Sequence, residues 1–173
     1  MQRSRFLPLL PLFAAVAVLA ACSDSSRSPL APGDVALAAK NGNPHFIKNA
    51  TDVTREGDNL TVTFKEAGLA AGSVETVQLS AIGTATYQCV NNGGNEPQAA
   101  NKRTVSTEVT TSGTFTADQN GNIEGSLMLS PPGPGDFSCP PGQTLTGPFD
   151  VSYTSVTLTD LTSGATMSFP GTF

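Results

Sequence analysis

Three cysteines, one histidine and a scatter of carboxylates are the residues through which this 173-residue chain could do chemistry. Cys89 and Cys139 each lack a second ligand at metal-binding spacing. In an oxidising compartment their natural chemistry is therefore a disulfide with each other. Closing that loop stabilises a fold by roughly 4 kcal/mol in the chain-entropy account. A Ser-His-acid triad would have to use His45, the single histidine, and one histidine among many serines and acids specifies nothing. Its place just after Pro44 predicts a strand-edge residue. The chain has no Gly-x-Ser-x-Gly elbow, no phosphate-cradling glycine loop before a helix and no His-Glu-x-x-His helix. No pair of acids is set apart by spacing as a two-carboxylate hydrolase would require.

Asp118-Gln119-Asn120-Gly121-Asn122-Ile123-Glu124 places oxygen side chains at alternate positions, as a calcium loop does. Its sixth position is Ile123 where such a loop needs glycine, and its twelfth is Leu129 instead of glutamate. A hairpin turn through Asn120-Gly121 is the simpler expectation. No catalytic residue, metal or cofactor is called for, and an enzyme is the minor alternative.

The amino terminus is the most specific segment. Arg3 and Arg5 precede an apolar stretch from Phe6 to Leu19, followed by small residues. Residues 1–21 therefore read as an export signal, shorter in its apolar part than a membrane-spanning helix. Leu19-Ala20-Ala21-Cys22 resembles the lipobox of bacterial lipoproteins. That resemblance implies cleavage before Cys22, a diacylglycerol on its sulfur and often a third acyl chain on the new amine. Each buried methylene contributes about 0.8 kcal/mol, so two or three chains hold where one would not. Ser23 follows the cysteine, which in the family's sorting pattern favours the outer membrane where a host has two. The chain also resembles the small exported, Thr-rich bacterial proteins of unassigned function. Its expected location is the bacterial cell envelope, anchored and extracytoplasmic.

Residues 22–44 are rich in Ser, Pro, Gly, Ala and Asp with no sustained apolar period, and read as a tether with a root-mean-square span of about 25 Å. The remaining 45–173 should form the domain. All 21 threonines lie at or after Thr51. Apolar and polar residues alternate repeatedly, which is the strand signal. Leu60, Val62 and Phe64 share one face. Val77, Leu79, Ala81, Gly83, Ala85, Tyr87 and Cys89 keep one parity, as one long strand or two joined at a bend near Gly83. Val105, Thr107, Val109, Phe115 and Ala117 continue inward, then Ile123, Leu127 and Leu129. After Phe149, Val151 and Tyr153 the parity flips to Val156 and Leu158, which predicts a bulge near Thr154-Ser155. Met167, Phe169 and Phe173 close the series. The expectation is an all-β, antiparallel β-sandwich of eight or nine strands, immunoglobulin-like or jelly-roll-like, with a small β-barrel as the alternative. Gly83 to Cys89 resembles the stretch before the second cysteine of immunoglobulin variable domains, but the partner cysteine lies downstream and the chain has no Trp.

Without residues 1–21 the chain keeps seven basic and fourteen acidic residues. That excess of acid argues against nucleic acid as a partner. The expected role is a non-catalytic binding or structural module of the envelope, its partners being the membrane through the lipid and an envelope polymer or protein. The disulfide should draw together the 91–96 and 131–142 loops. Asn91, Asn92, Asn95, Glu96 and Asp136 would then form a polar ledge for a sugar or peptide. The first test concerns the anchor. Mass spectrometry of the amino-terminal peptide from the native host should find Cys22 carrying fatty acyl chains, and Cys22→Ser should abolish them and move the chain out of the membrane fraction.

Overall fold

A computed structural model describes residues 42–91 and 101–173. Within them the chain forms eight strands: β1 His45–Phe46, β2 Asp52–Glu56, β3 Asn59–Ala67, β4 Val74–Asn91, β5 Lys102–Thr116, β6 Ile123–Leu129, β7 Gln143–Asp160 and β8 Thr166–Thr172, with one 3-10 turn at Lys48–Ala50. Two antiparallel sheets result and neither closes into a barrel. In the first, β1 and β2 pair with one edge of β3 and β6 with the other. In the second the order is β5-β4-β7-β8. With β1 and β2 counted as one interrupted first strand, the order is that of an immunoglobulin sandwich, except that the fourth strand lies beside the third on the second sheet. The Gly83–Cys89 stretch sits on the third strand of that scheme, not the sixth, so its likeness to immunoglobulin variable domains is local only.

The alternation in the sequence becomes the core. Leu60, Val62 and Phe64 of β3 and Leu127 and Leu129 of β6 meet Val77, Leu79 and Ala81 of β4 and Tyr153, Val156 and Leu158 of β7. Phe64 stands edge-on between Phe46 and Phe115, at centroid distances of 5.8 and 5.2 Å. Tyr153 is fully buried. Its hydroxyl donates to the Asp58 carbonyl at 2.8 Å, and the Arg55 guanidinium covers its ring at 5.6 Å.

β4 is the one long strand of the two alternatives, running unbroken through Gly83, because that glycine makes room for a neighbouring loop and does not bend the strand. Three departures from the sequence reading have physical causes. β7 carries three register shifts against β4, and each falls beside a residue with positive φ: Ser155, Asp150 and Gly147. The shift near Thr154-Ser155 is the predicted one. The shift at Asp150 turns Phe149 to the outer face, opposite Thr86, where it is 42% exposed and not in the core. Finally, Asn120-Gly121 is not a paired hairpin. β5 belongs to one sheet and β6 to the other, so the chain turns a corner there. Thr107 also proves exposed, because the first sheet does not reach that far along β5.

That corner interlocks with the β3–β4 connection. Leu69 N–H donates to Gly121 O at 3.0 Å and Ala117 N–H to Ser73 O at 2.8 Å. Gly121 has φ +72°, and a Cβ there would fall 2.2 Å from the Leu69 carbonyl oxygen. Gly57 has a similar φ of +62° with nothing near its missing Cβ. Gly57→Ala should therefore cost about 1 kcal/mol, the left-handed penalty alone. Gly121→Ala should cost clearly more in urea unfolding, because backbone must move as well.

Candidate functional site

Sheet length decides where a site can lie. β3, the spine of the first sheet, has nine residues, and β4 and β7 have eighteen each, or about 30 Å against about 60 Å at a strand's rise per residue. The second sheet therefore projects as an arm beyond the first. The arm consists of the carboxyl-terminal part of β4, the amino-terminal parts of β5 and β7, and the loop between β6 and β7.

That loop covers the arm's inner face where the first sheet ends. Tyr87 Oη donates to the Pro132 carbonyl at 2.7 Å. Pro132 is buried, and a Cβ on Gly83 would come within 3.0 Å of its Cδ, so the loop's approach depends on that glycine. Farther out Cys89 and Cys139 form the expected disulfide, with Sγ atoms 2.01 Å and Cα atoms 5.5 Å apart. Asn91, at the exposed end of β4 opposite Gln143, lies two residues beyond Cys89, and exposed Asp136 lies in the turn three residues before Cys139. The cross-link thus holds together the two stretches that carry them. Asn92, Asn95 and Glu96, like Cys22, lie outside the described residues. Both tyrosines point inward as their parity predicts, which leaves neither free as a stacking platform.

The other candidate residues stand apart from the arm. His45 is exposed on β1, and its only hydrogen-bond partner among the described residues is the Asn43 carbonyl, 2.7 Å from Nδ1. Asp118 serves the corner. Its Oδ1 accepts the backbone N–H of Asn122 at 2.9 Å and of Asn120 at 2.8 Å, and these bonds, with Asn122 foremost, hold its carboxyl below the ordinary range. A cleft of about 310 Å³ lined by Lys48, Thr51, Met167, Ser168, Phe169 and Pro170 opens at the sandwich edge, with one cation and no acid to work with it.

At the opposite end of the sandwich from the disulfide lies a feature that sequence reading missed. Glu66, Glu75 and Asp160, from the ends of β3, β4 and β7, are buried together. Each gives one oxygen to a donor: Glu66 to Ser163 Oγ at 3.1 Å, Glu75 to Ser73 Oγ at 2.6 Å, and Asp160 to the Thr162 N–H at 2.8 Å. The second oxygen of each has no such partner. Asp160 is near enough to both glutamates for its carboxylate to act on them electrostatically. With no ion-pair partner for them among the described residues, burial disfavours the charged forms of Glu66 and Glu75, and a protonated glutamate supplies the missing donor. Burial, reinforced by Asp160, raises Glu66 to about 7, and burial first, then Asp160, raises Glu75. The sole ion pair among the described residues, Lys65–Glu124 at 2.7 Å, lies on another face. No group of three or more His, Cys, Asp or Glu among the described residues is arranged to hold a metal ion. The only signal in the sequence was Glu66 and Glu75 at apolar parity, and Asp160 continuing the inward set of Val156 and Leu158.

No family model matches the chain, and no curated protein or solved structure matches it either.

The carboxyl cluster predicts an inverted pH profile. Between the ordinary glutamate value and about 7 the folded chain holds protons that the unfolded chain releases, so stability falls as pH rises through that window. Thermal midpoints should be higher near pH 5 than near pH 8. Glu66→Gln should flatten the profile and raise the midpoint at the alkaline end. An unchanged slope would show that Glu66 does not hold the extra proton.

Proposed function

We propose that the chain is a non-catalytic binding or structural module of the bacterial envelope, lipid-anchored through Cys22, with the disulfide-braced arm as its working surface. The observation that carries this reading is the arm itself. A domain that needed only a stable core would end its second sheet where the first one ends. Here about half of the longer sheet is kept rigid by a cross-link, a buried tyrosine and a proline-rich loop, while among the described residues its edge and outer face stay open. The chain enters the domain at the other end, where β1 pairs with the last residues of β3. A tether from Cys22 would therefore join the domain far from the arm and leave it free. The isolation of His45 supports the non-catalytic side of the reading.

A ligand on the arm would be recognised through hydrogen bonds beside the disulfide, from Asn91 and Asp136, as a peptide or polar polymer chain is. The full-length protein, immobilised, should retain envelope material from its host. Replacing Asn91 and Asp136 together by alanine should reduce that retention severalfold with the thermal midpoint unchanged. Equal retention by the double variant would remove the arm's tip as the binding surface.

A further inference from the structure

Besides the two-residue β1, four strands border the two sheets, and they are protected to very different degrees. β2 has five residues and carries Asp52, Arg55 and Glu56. β6 has seven and is crowded by β5, whose Phe115 ring lies where a Cβ on Gly125 would fall. β8 also has seven, with Pro170 and Gly171 interrupting its hydrogen-bonding edge. Short length, charge, proline and covering elements are the devices that keep sheet edges from pairing with other chains. Of these β5 has only charge, in Lys102, Arg103 and Glu108. It runs fifteen residues without proline, and its ladder with β4 continues from Thr116 to Lys102 without a register shift. Cross-strand hydroxyl pairs, Thr84 with Ser106 and Thr86 with Thr104, both at 3.0 Å, keep its arm portion regular. Among the described residues nothing pairs with its outer edge, and Lys102–Glu108 is exposed on both faces except at half-buried Val105.

We infer that this edge joins two copies of the chain, β5 against β5 and antiparallel, centred on Val105. The register follows from charge. Lys102 and Glu108 lie on the same outer face, opposite Gln88 and Ile82 of β4. Antiparallel pairing centred on residue 105 sets Lys102 of each copy against Glu108 of the other, twice by symmetry, and Thr104 against Ser106. On the inner face Val105 meets Val105, and Arg103 meets Thr107. A parallel in-register pair would instead stack Lys102, Arg103 and Glu108 each on its own like charge. The first sheet of each copy covers only the Val109-to-Thr116 side of β5, so in the antiparallel arrangement the two first sheets lie toward opposite ends and do not collide. The four-stranded sheets merge into one of eight strands. This inference does not depend on the anchor or on any ligand of the arm's tip.

The test uses the full chain in its host membrane. Val105→Cys should give a disulfide-linked dimer on a non-reducing gel under mild oxidant, since a residue on the twofold lies opposite itself at a distance a disulfide spans. Val109→Cys, on the same face but off the axis, should not. Adding Glu108→Lys to Val105→Cys should abolish the dimer band, and adding Lys102→Glu as well should restore it, because the charge pair is then reversed and not broken. Absence of the Val105→Cys dimer, a stronger dimer from Val109→Cys, or a band indifferent to the charge changes would each overturn the inference. Loss of envelope retention by the Asn91 and Asp136 double variant would leave it standing.

Discussion

The structure depends on a mismatch: a second sheet about twice as long as the first must bury its apolar face against something else where the first ends. Near the shared core that face meets β3 and β6, and Leu60, Leu79, Leu129 and Leu158 become fully buried. Beyond it, Ala85, Tyr87 and Cys89 would stand in water if the β6–β7 loop did not lie over them. Proline suits such a loop, since it offers apolar surface with no backbone N–H needing a partner. The Tyr87 hydroxyl takes up the Pro132 carbonyl, and the disulfide fixes the outer end. A small residue at position 83, one hydrogen bond and one covalent cross-link thus do for the arm what a second sheet does for the core.

The same long strands have their other ends in the carboxyl cluster. β3, β4 and β7 each carry an inward acid there, and among the described residues no lysine or arginine forms an ion pair with them. Buried acids are costly when charged and tolerable when they hold protons and accept from Ser163, Ser73 and the Thr162 amide. One end of the domain is therefore held by a covalent bond that ignores pH and the other by protons that do not. Any loosening with rising pH should begin away from the arm, at the end where the chain enters the domain.

Much of this was legible in the residues. Strand positions, inward parities from Leu60 to Cys89, the cysteine pair and the flip at Thr154-Ser155 all follow from local alternation and composition. Bulges at Gly147 and Asp150 were not legible, because a bulge is a relation between two strands and the sequence of one shows only a slipped parity. Phe149 faces outward for that reason. The turn at Asn120-Gly121 has the right chemistry for a hairpin, and nothing local tells a hairpin from a corner between sheets. That choice is made by which strand buries Phe115 and Leu127 best. Of the residues named for a polar ledge, Asn91 and Asp136 lie on the stretches that the disulfide joins, while Asn92, Asn95 and Glu96 fall outside the described residues.

By itself the sequence determined the class of fold, because a two-residue period repeated over 129 residues admits only sheets with one wet face. It also determined the partner of each domain cysteine, since two cysteines that form an intramolecular disulfide within residues 45–173 have one pairing to make. Tertiary structure alone decided how strands divide between sheets, that one sheet outruns the other, that Glu66, Glu75 and Asp160 meet, and that β5 has an open edge among the described residues. All four depend on contacts between residues far apart in the chain, whose energies depend on packing and burial and leave no periodic trace in the residues that make them.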